Sequence, residues 1–137
     1  MNRLRYLTLC SLILFHFAGN GQDNIHEEVF LQISSDRFVS GERILFHALV
    51  RSKSSGKLSE LSSILYVELL DDQQIPVFQT KIKLEKGQGT GDFFISSLIE
   101  SGNYQLIGYT RWMKNFGDYY RIPITIYNPF EEYMVTP

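Results

Sequence analysis

Between residues 29 and 127, runs in which apolar side chains fall at alternate positions recur, and no 3.6-residue period persists over a useful window. A period of two places successive side chains on opposite faces of an extended strand, so it constrains this chain to half-buried β-structure. Val29, Leu31 and Ile33 share one face of VFLQIS. Ile44, Phe46, Ala48 and Val50 share one face of RILFHALVR, with Leu45, His47 and Leu49 opposite. Leu65, Val67 and Leu69 alternate with Ile64, Tyr66 and Glu68. In VFQTKIKL, Phe78, Thr80, Ile82 and Leu84 point inward while Gln79, Lys81 and Lys83 point out. Phe93 and Ile95, then Tyr104, Leu106 and Gly108, then Tyr120, Ile122, Ile124 and Ile126 complete seven expected strands. Pro123 cannot donate a ladder bond, which predicts that the last strand lies at an edge or starts irregularly.

The segments between these runs carry turn chemistry. SDRFVSGE holds Asp36, Ser40 and Gly41, SKSSGKLSE reads as a polar surface loop, and DDQQ reads as a tight hairpin. KGQGTG and ESGN supply glycines for positive φ, with Gly102 and Asn103 read as a turn. Short strands at roughly ten-residue spacing without a helix signal predict two antiparallel sheets packed face to face. A single domain accounts for 137 residues.

The first 21 residues stand apart. Arg3 and Arg5 precede the apolar run YLTLCSLILFHF at 6–17, and small residues surround Gly19 and Gly21. Charge, apolar run and small-residue cut are the order of a secretory signal, and the run is shorter than the ~20 residues a membrane span needs. Cleavage is expected between Gly21 and Gln22, leaving a domain at 22–128 and a tail or truncated linker at 129–137. Cys10 is the only cysteine and lies in the leader, behind Leu9 rather than the small residue a lipid-attachment cysteine needs. The mature chain then has no disulfide and no thiolate nucleophile. Loss of Arg3 and Arg5 takes Lys plus Arg from 13 to 11 against 15 carboxylates, a net charge near −4. Nucleic acid and anionic membrane are poor partners for such a surface, and no membrane insertion is expected after cleavage.

No stretch offers a catalytic set. GQGTGD at 87–92 lacks dinucleotide-fingerprint spacing and a Gly-Lys-Ser/Thr, and it leads into a strand rather than a helix, so it reads as a turn. His26 and His47 have no ligand spacing, and the strand around His26-Glu27-Glu28 would splay those side chains. None of the serines lies in a nucleophile elbow, and Asp71-Asp72 is a turn pair. No metal, no cofactor and no enzymatic activity are expected. GNYQLIGYTRWMKNFGDYY divides in two. Tyr104 and Leu106 read as core, with the Tyr104 hydroxyl bonding back to the preceding connection, as sandwich folds do at the crossover between sheets. After Thr110 the alternation breaks. Trp112, Met113, Phe116 and Tyr119 then form a candidate interaction loop, since Trp, Tyr and Arg concentrate at binding hot spots.

EEVFLQISSDRFVSGERILFHALV resembles the opening strands of macroglobulin-type domains, the second macroglobulin domain in particular. Asp36, Phe38, Gly41 and Glu42 fit the turn between those strands. LYVELLD, GQGTGDFFIS and SGNYQLIGYTRWMKNFG look like the version found at the start of long exported proteins of Bacteroidetes. The similarity covers about residues 27–128. It implies a seven-stranded antiparallel, immunoglobulin- or fibronectin-III-like sandwich. It also implies a non-catalytic module of the cell envelope, structural or protein-binding, located in the periplasm, at the outer membrane or outside the cell. The alternatives are a protease-inhibitor-like fragment or a non-functional truncation of a longer envelope protein. The family's protease trap uses a bait region and a Cys-Gln thioester in other domains, so covalent trapping does not carry over to this chain.

Overall fold

The computed structural model describes residues 26–131, so the expected leader and cleavage position lie outside the described residues. The strands are β1 (Glu27–Ile33), β2 (Arg37–Val39), β3 (Arg43–Ser52), β4 (Ile64–Leu70), β5 (Pro76–Lys83), β6 (Gln88–Phe94), β7 (Gly102–Thr110) and β8 (Tyr120–Tyr127), with one 3-10 turn at Met113–Asn115. They form a three-stranded sheet in the order β1-β3-β6 and a five-stranded sheet in the order β2-β8-β7-β4-β5. Among the described residues no helix is long and apolar enough to cross a membrane.

The alternating residues fill the space between the sheets. Val29 and Leu31 from β1, Ile44, Phe46, Ala48 and Val50 from β3, Leu65, Val67 and Leu69 from β4, Leu106 from β7 and Ile124 and Ile126 from β8 are buried together. Burying one such side chain is worth about 1.5–3 kcal/mol, and a one-residue slip would turn a whole strand's set to water, so this pattern fixes the register.

Three local expectations are corrected. Among the described residues the sandwich has eight strands, because SDRFVSGE holds β2 and not a turn alone. β2 runs parallel to β8, so the five-stranded sheet is not wholly antiparallel. The pairing follows from backbone geometry: Thr125 N–H donates to Asp36 O at 2.8 Å and Ser40 N–H to Tyr127 O at 2.9 Å, while Phe38 is buried between them in sequence. Gly41 at φ 97° and the Glu42 carboxylate, which accepts the Val39 N–H at 2.7 Å, turn the chain into β3. Second, Gly102 and Asn103 begin β7, paired with Ile126 and Thr125, and the turn lies before them. Third, GQGTGD is mostly strand. Only Lys86 (φ 52°) and Gly87 (φ 75°) make the turn, a two-residue hairpin closed by Glu85 and Gln88, whose geometry needs positive φ at both centres. Gly89 and Gly91 are interior residues of β6 and pair with Ala48 and Phe46.

Pro123 sits in β8 opposite Gln105 of β7, inside the sheet order. Its nitrogen points to the same side as that of Thr125, towards β2. β2 pairs only with Thr125–Tyr127, so the missing donor falls where no strand lies alongside. The first half of β8 is an edge, as the proline requires.

The Tyr104 hydroxyl donates to Glu100 O at 2.8 Å, and its ring is buried at the start of β7. Burial first, and the neighbouring carboxylates next, raise its pKa above the usual tyrosine value. Tyr104→Phe keeps the ring and removes the bond. It is expected to cost about 1 kcal/mol, read as a fall of about 4–8 °C in the melting temperature by circular dichroism.

Candidate interaction site

The loop after β7 is built from a buried carboxylate. Glu27, two residues before Val29, continues the inward phase of β1 and is only 4% exposed. Its Oε1 accepts from Ser59 Oγ at 2.6 Å and from Ser62 N at 3.2 Å. Its Oε2 accepts from Ser62 Oγ at 2.5 Å and from Thr110 Oγ1 at 2.8 Å. Four donors satisfy a charge that would otherwise be costly to bury. Thr110, fully buried, passes the constraint on: its hydroxyl oxygen accepts the Met113 N–H at 3.3 Å. One side chain thereby ties the start of β1, the β3–β4 loop and the end of β7 together.

The 3-10 turn follows directly. Phe116 and Gly117 both donate to Met113 O, at 3.0 and 3.2 Å, and Gly117 at φ 67° reverses the chain. Asp118 pairs with Lys53 of the β3–β4 loop at 3.0 Å. Lys114 reaches back over the outer face of the five-stranded sheet, with its ammonium 5.4 Å from the Tyr66 ring centre and 5.1 Å from that of Tyr109. Those two rings stack at 5.4 Å, nearly parallel. The Tyr109 hydroxyl donates to Glu68. Burial, then that bond and the Glu68 charge, push the Tyr109 hydroxyl well above the ordinary tyrosine range.

The four residues singled out in the sequence do not form one face. Met113 is buried and plugs the end of the sandwich. Tyr119 is half-buried and leans on Tyr109 at 4.7 Å between ring centres. Trp112 and Phe116 stand at the surface, 43% and 47% exposed. Phe116 packs edge-on against His26, 3.7 Å between ring centres, and His47 is half-buried on the outer face of the three-stranded sheet. Trp112 borders a depression of about 630 Å³ with Arg111, Asn115, Leu61 and Ile64. Leu61 and Ile64 are 49% and 44% exposed. The sequence reading took SKSSGKLSE as a polar loop and passed over Leu61, the residue that follows it. The signal available was two leucines, Leu58 and Leu61, one helical turn apart in a run of Ser, Lys and Glu. Glu27 was also missed, although its phase with Val29 and Leu31 marks it as inward.

No family model matches the chain, and no curated protein does. Solved structures do. Trypsin-activated alpha-2-macroglobulin from Escherichia coli superimposes with a TM-score of 0.60 at 14% identity, over 73% of this chain and 6% of that one. Salmonella alpha-2-macroglobulin reacted with methylamine gives 0.60 at 13%, over 79% of this chain and 7% of that one. The Yersinia pseudotuberculosis adhesin InvE gives 0.50 at 12%, over 74% of this chain and 32% of that one. The chain thus spans less than a tenth of the macroglobulins it matches, and at such identity the likeness is one of fold. That fold is the macroglobulin-type β-sandwich.

Proposed function

We propose that this chain is an exported, non-catalytic β-sandwich module that serves the cell envelope as a structural or protein-binding unit, in the manner of an N-terminal macroglobulin-type domain of a larger envelope protein. The observation that carries the reading is the end of the sandwich at β7. There a buried Glu27–Thr110–Met113 chain of hydrogen bonds holds Trp112 at the surface beside Leu61 and Ile64, and Phe116 at the surface against His26. Exposed rings on a loop fixed from beneath lose little freedom on association, which is the economy of a binding hot spot. A basic leader in front of a short apolar run supports export, and the likeness of fold to short portions of macroglobulins supports a modular role.

The partner is a protein of the envelope. Affinity capture with the tagged chain from its native envelope fraction identifies it. The Trp112→Ala, Phe116→Ala double variant is expected to weaken the purified complex at least about 30-fold, the effect of losing one hot-spot side chain. Both side chains are half in solvent, so the variant is expected to keep its cooperative melt. Undiminished capture by a folded double variant removes the reading.

A further inference from the structure

The opposite end of the sandwich carries a second surface. A groove of about 870 Å³ runs between the β4–β5 turn, the start of β5, the end of β6 and the connection into β7. Its apolar wall includes Val77, Phe94 and Leu98, which are 41%, 51% and 77% exposed. Beneath them Phe78 and Phe93 stack, 4.2 Å between ring centres. The charged residues that line it are Asp71, Asp72 and Glu100, all acidic, and no lysine or arginine is among the lining residues. Glu131 adds a further carboxylate at the rim, where it accepts the Ser101 N–H. The raised pKa of Tyr104 is consistent with the same field, with Glu100, Asp71, Glu131 and Asp72 each contributing after burial.

The walls are preformed. Asp71 Oδ1 accepts from Gln73 N at 2.9 Å and Ile75 N at 2.7 Å, which sets the turn on one side. On the other side the buried Asn128 amide donates to Ser97 O and Ile99 O, both at 2.8 Å, and so fixes the connection. β5 and β6, which flank the groove, are the outermost strands of their sheets. Each therefore offers one unpaired row of backbone donors and acceptors to an extended chain.

We propose that this groove binds an extended polypeptide segment in which aliphatic or aromatic side chains alternate with lysine or arginine. The apolar side chains lie against Phe94, Leu98 and Val77. The cations meet the carboxylate rim, and the backbone runs along the free edge of β5 or β6. Alternation suits this arrangement because an extended segment sends every second side chain to the same face.

The test uses the purified chain and two fluorescein-labelled hexapeptides, Leu-Lys-Val-Lys-Phe-Lys and Leu-Glu-Val-Glu-Phe-Glu, followed by fluorescence anisotropy. The cationic peptide is expected to bind saturably and to weaken as salt is raised, and the acidic one to bind at least about tenfold more weakly. A Phe94→Ser, Leu98→Ser variant, altered only at surface positions, is expected to weaken the cationic peptide by about tenfold or more. An Asp72→Asn, Glu100→Gln variant is expected to flatten the salt dependence. The Trp112→Ala, Phe116→Ala variant, altered at the far end, is expected to bind the cationic peptide as the native chain does. Four results each overturn the proposal: no saturable binding of the cationic peptide, equal binding of both peptides, undiminished binding by the serine variant, or loss of binding in the far-end variant.

Discussion

Glu27→Ala lowers the stability of the domain by about 3 kcal/mol and its melting temperature by about 10–20 °C. The change removes the common acceptor of Ser59, Ser62 and Thr110, three hydroxyls and one backbone N–H in all. The hydroxyls can turn towards entering water, but the Ser62 N–H cannot rotate. Thr110 also loses the bond that orients it towards Met113. The loss should therefore be accompanied by early exchange of the amides at 59–62 and 110–116, measured by hydrogen–deuterium exchange. Glu27→Gln keeps one acceptor oxygen and presents an NH2 group to neighbours that are donors, so an intermediate loss is expected. An unchanged melt for Glu27→Ala would mean that water replaces the carboxylate at no cost and that Glu27 does not hold the loop.

Gly91→Val is the second large effect, about 3 kcal/mol, read by chemical denaturation. A Cβ built at Gly91 lies 2.5 Å from Phe46 Cζ and 2.8 Å from Ile82 Cγ2. Phe46 is 3% exposed, held between the sheets, and has little room in which to move. Gly91 is not spared by a permissive backbone: it is a paired strand residue with no positive φ. Its side chain is absent because Phe46 and Ile82 occupy the place where one would be. Gly91→Ala, with a single methyl, is expected to cost about 1–2 kcal/mol. A valine variant as stable as the native chain would show that the Phe46 ring repacks freely.

Those two positions show how much the sequence discloses. Strand faces were legible because period-two alternation is a direct consequence of burying one side of a pleated sheet, and each inward set from Val29 to Ile126 lies where alternation puts it. The resemblance carried by Asp36, Phe38, Gly41 and Glu42 corresponds to a real turn, with Phe38 buried, Gly41 at positive φ and Glu42 capping Val39. β2 was not legible: three residues are too few to show a period, and their strand character comes from the partner β8. β6 was misjudged at its start because glycine signals turns through its backbone, whereas Gly89 and Gly91 are needed for what stands opposite them. At the candidate loop the residue types were legible and their division of labour was not. Met113 is an anchor and Trp112 a surface residue although they are neighbours in sequence, and only the direction of a 3-10 turn separates them. Leu61 and Ile64 joined Trp112 through folding rather than through proximity along the chain.

Pro123 has one further effect. Beside it, the backbone of the first half of β8 faces outward without a neighbour, next to the exposed Arg121. Such a margin invites a foreign ribbon to zip on and begin a fibre. A ring in place of the amide hydrogen, together with a guanidinium two residues earlier, removes the docking teeth from that margin. At this border the molecule is guarded against clumping with its own copies.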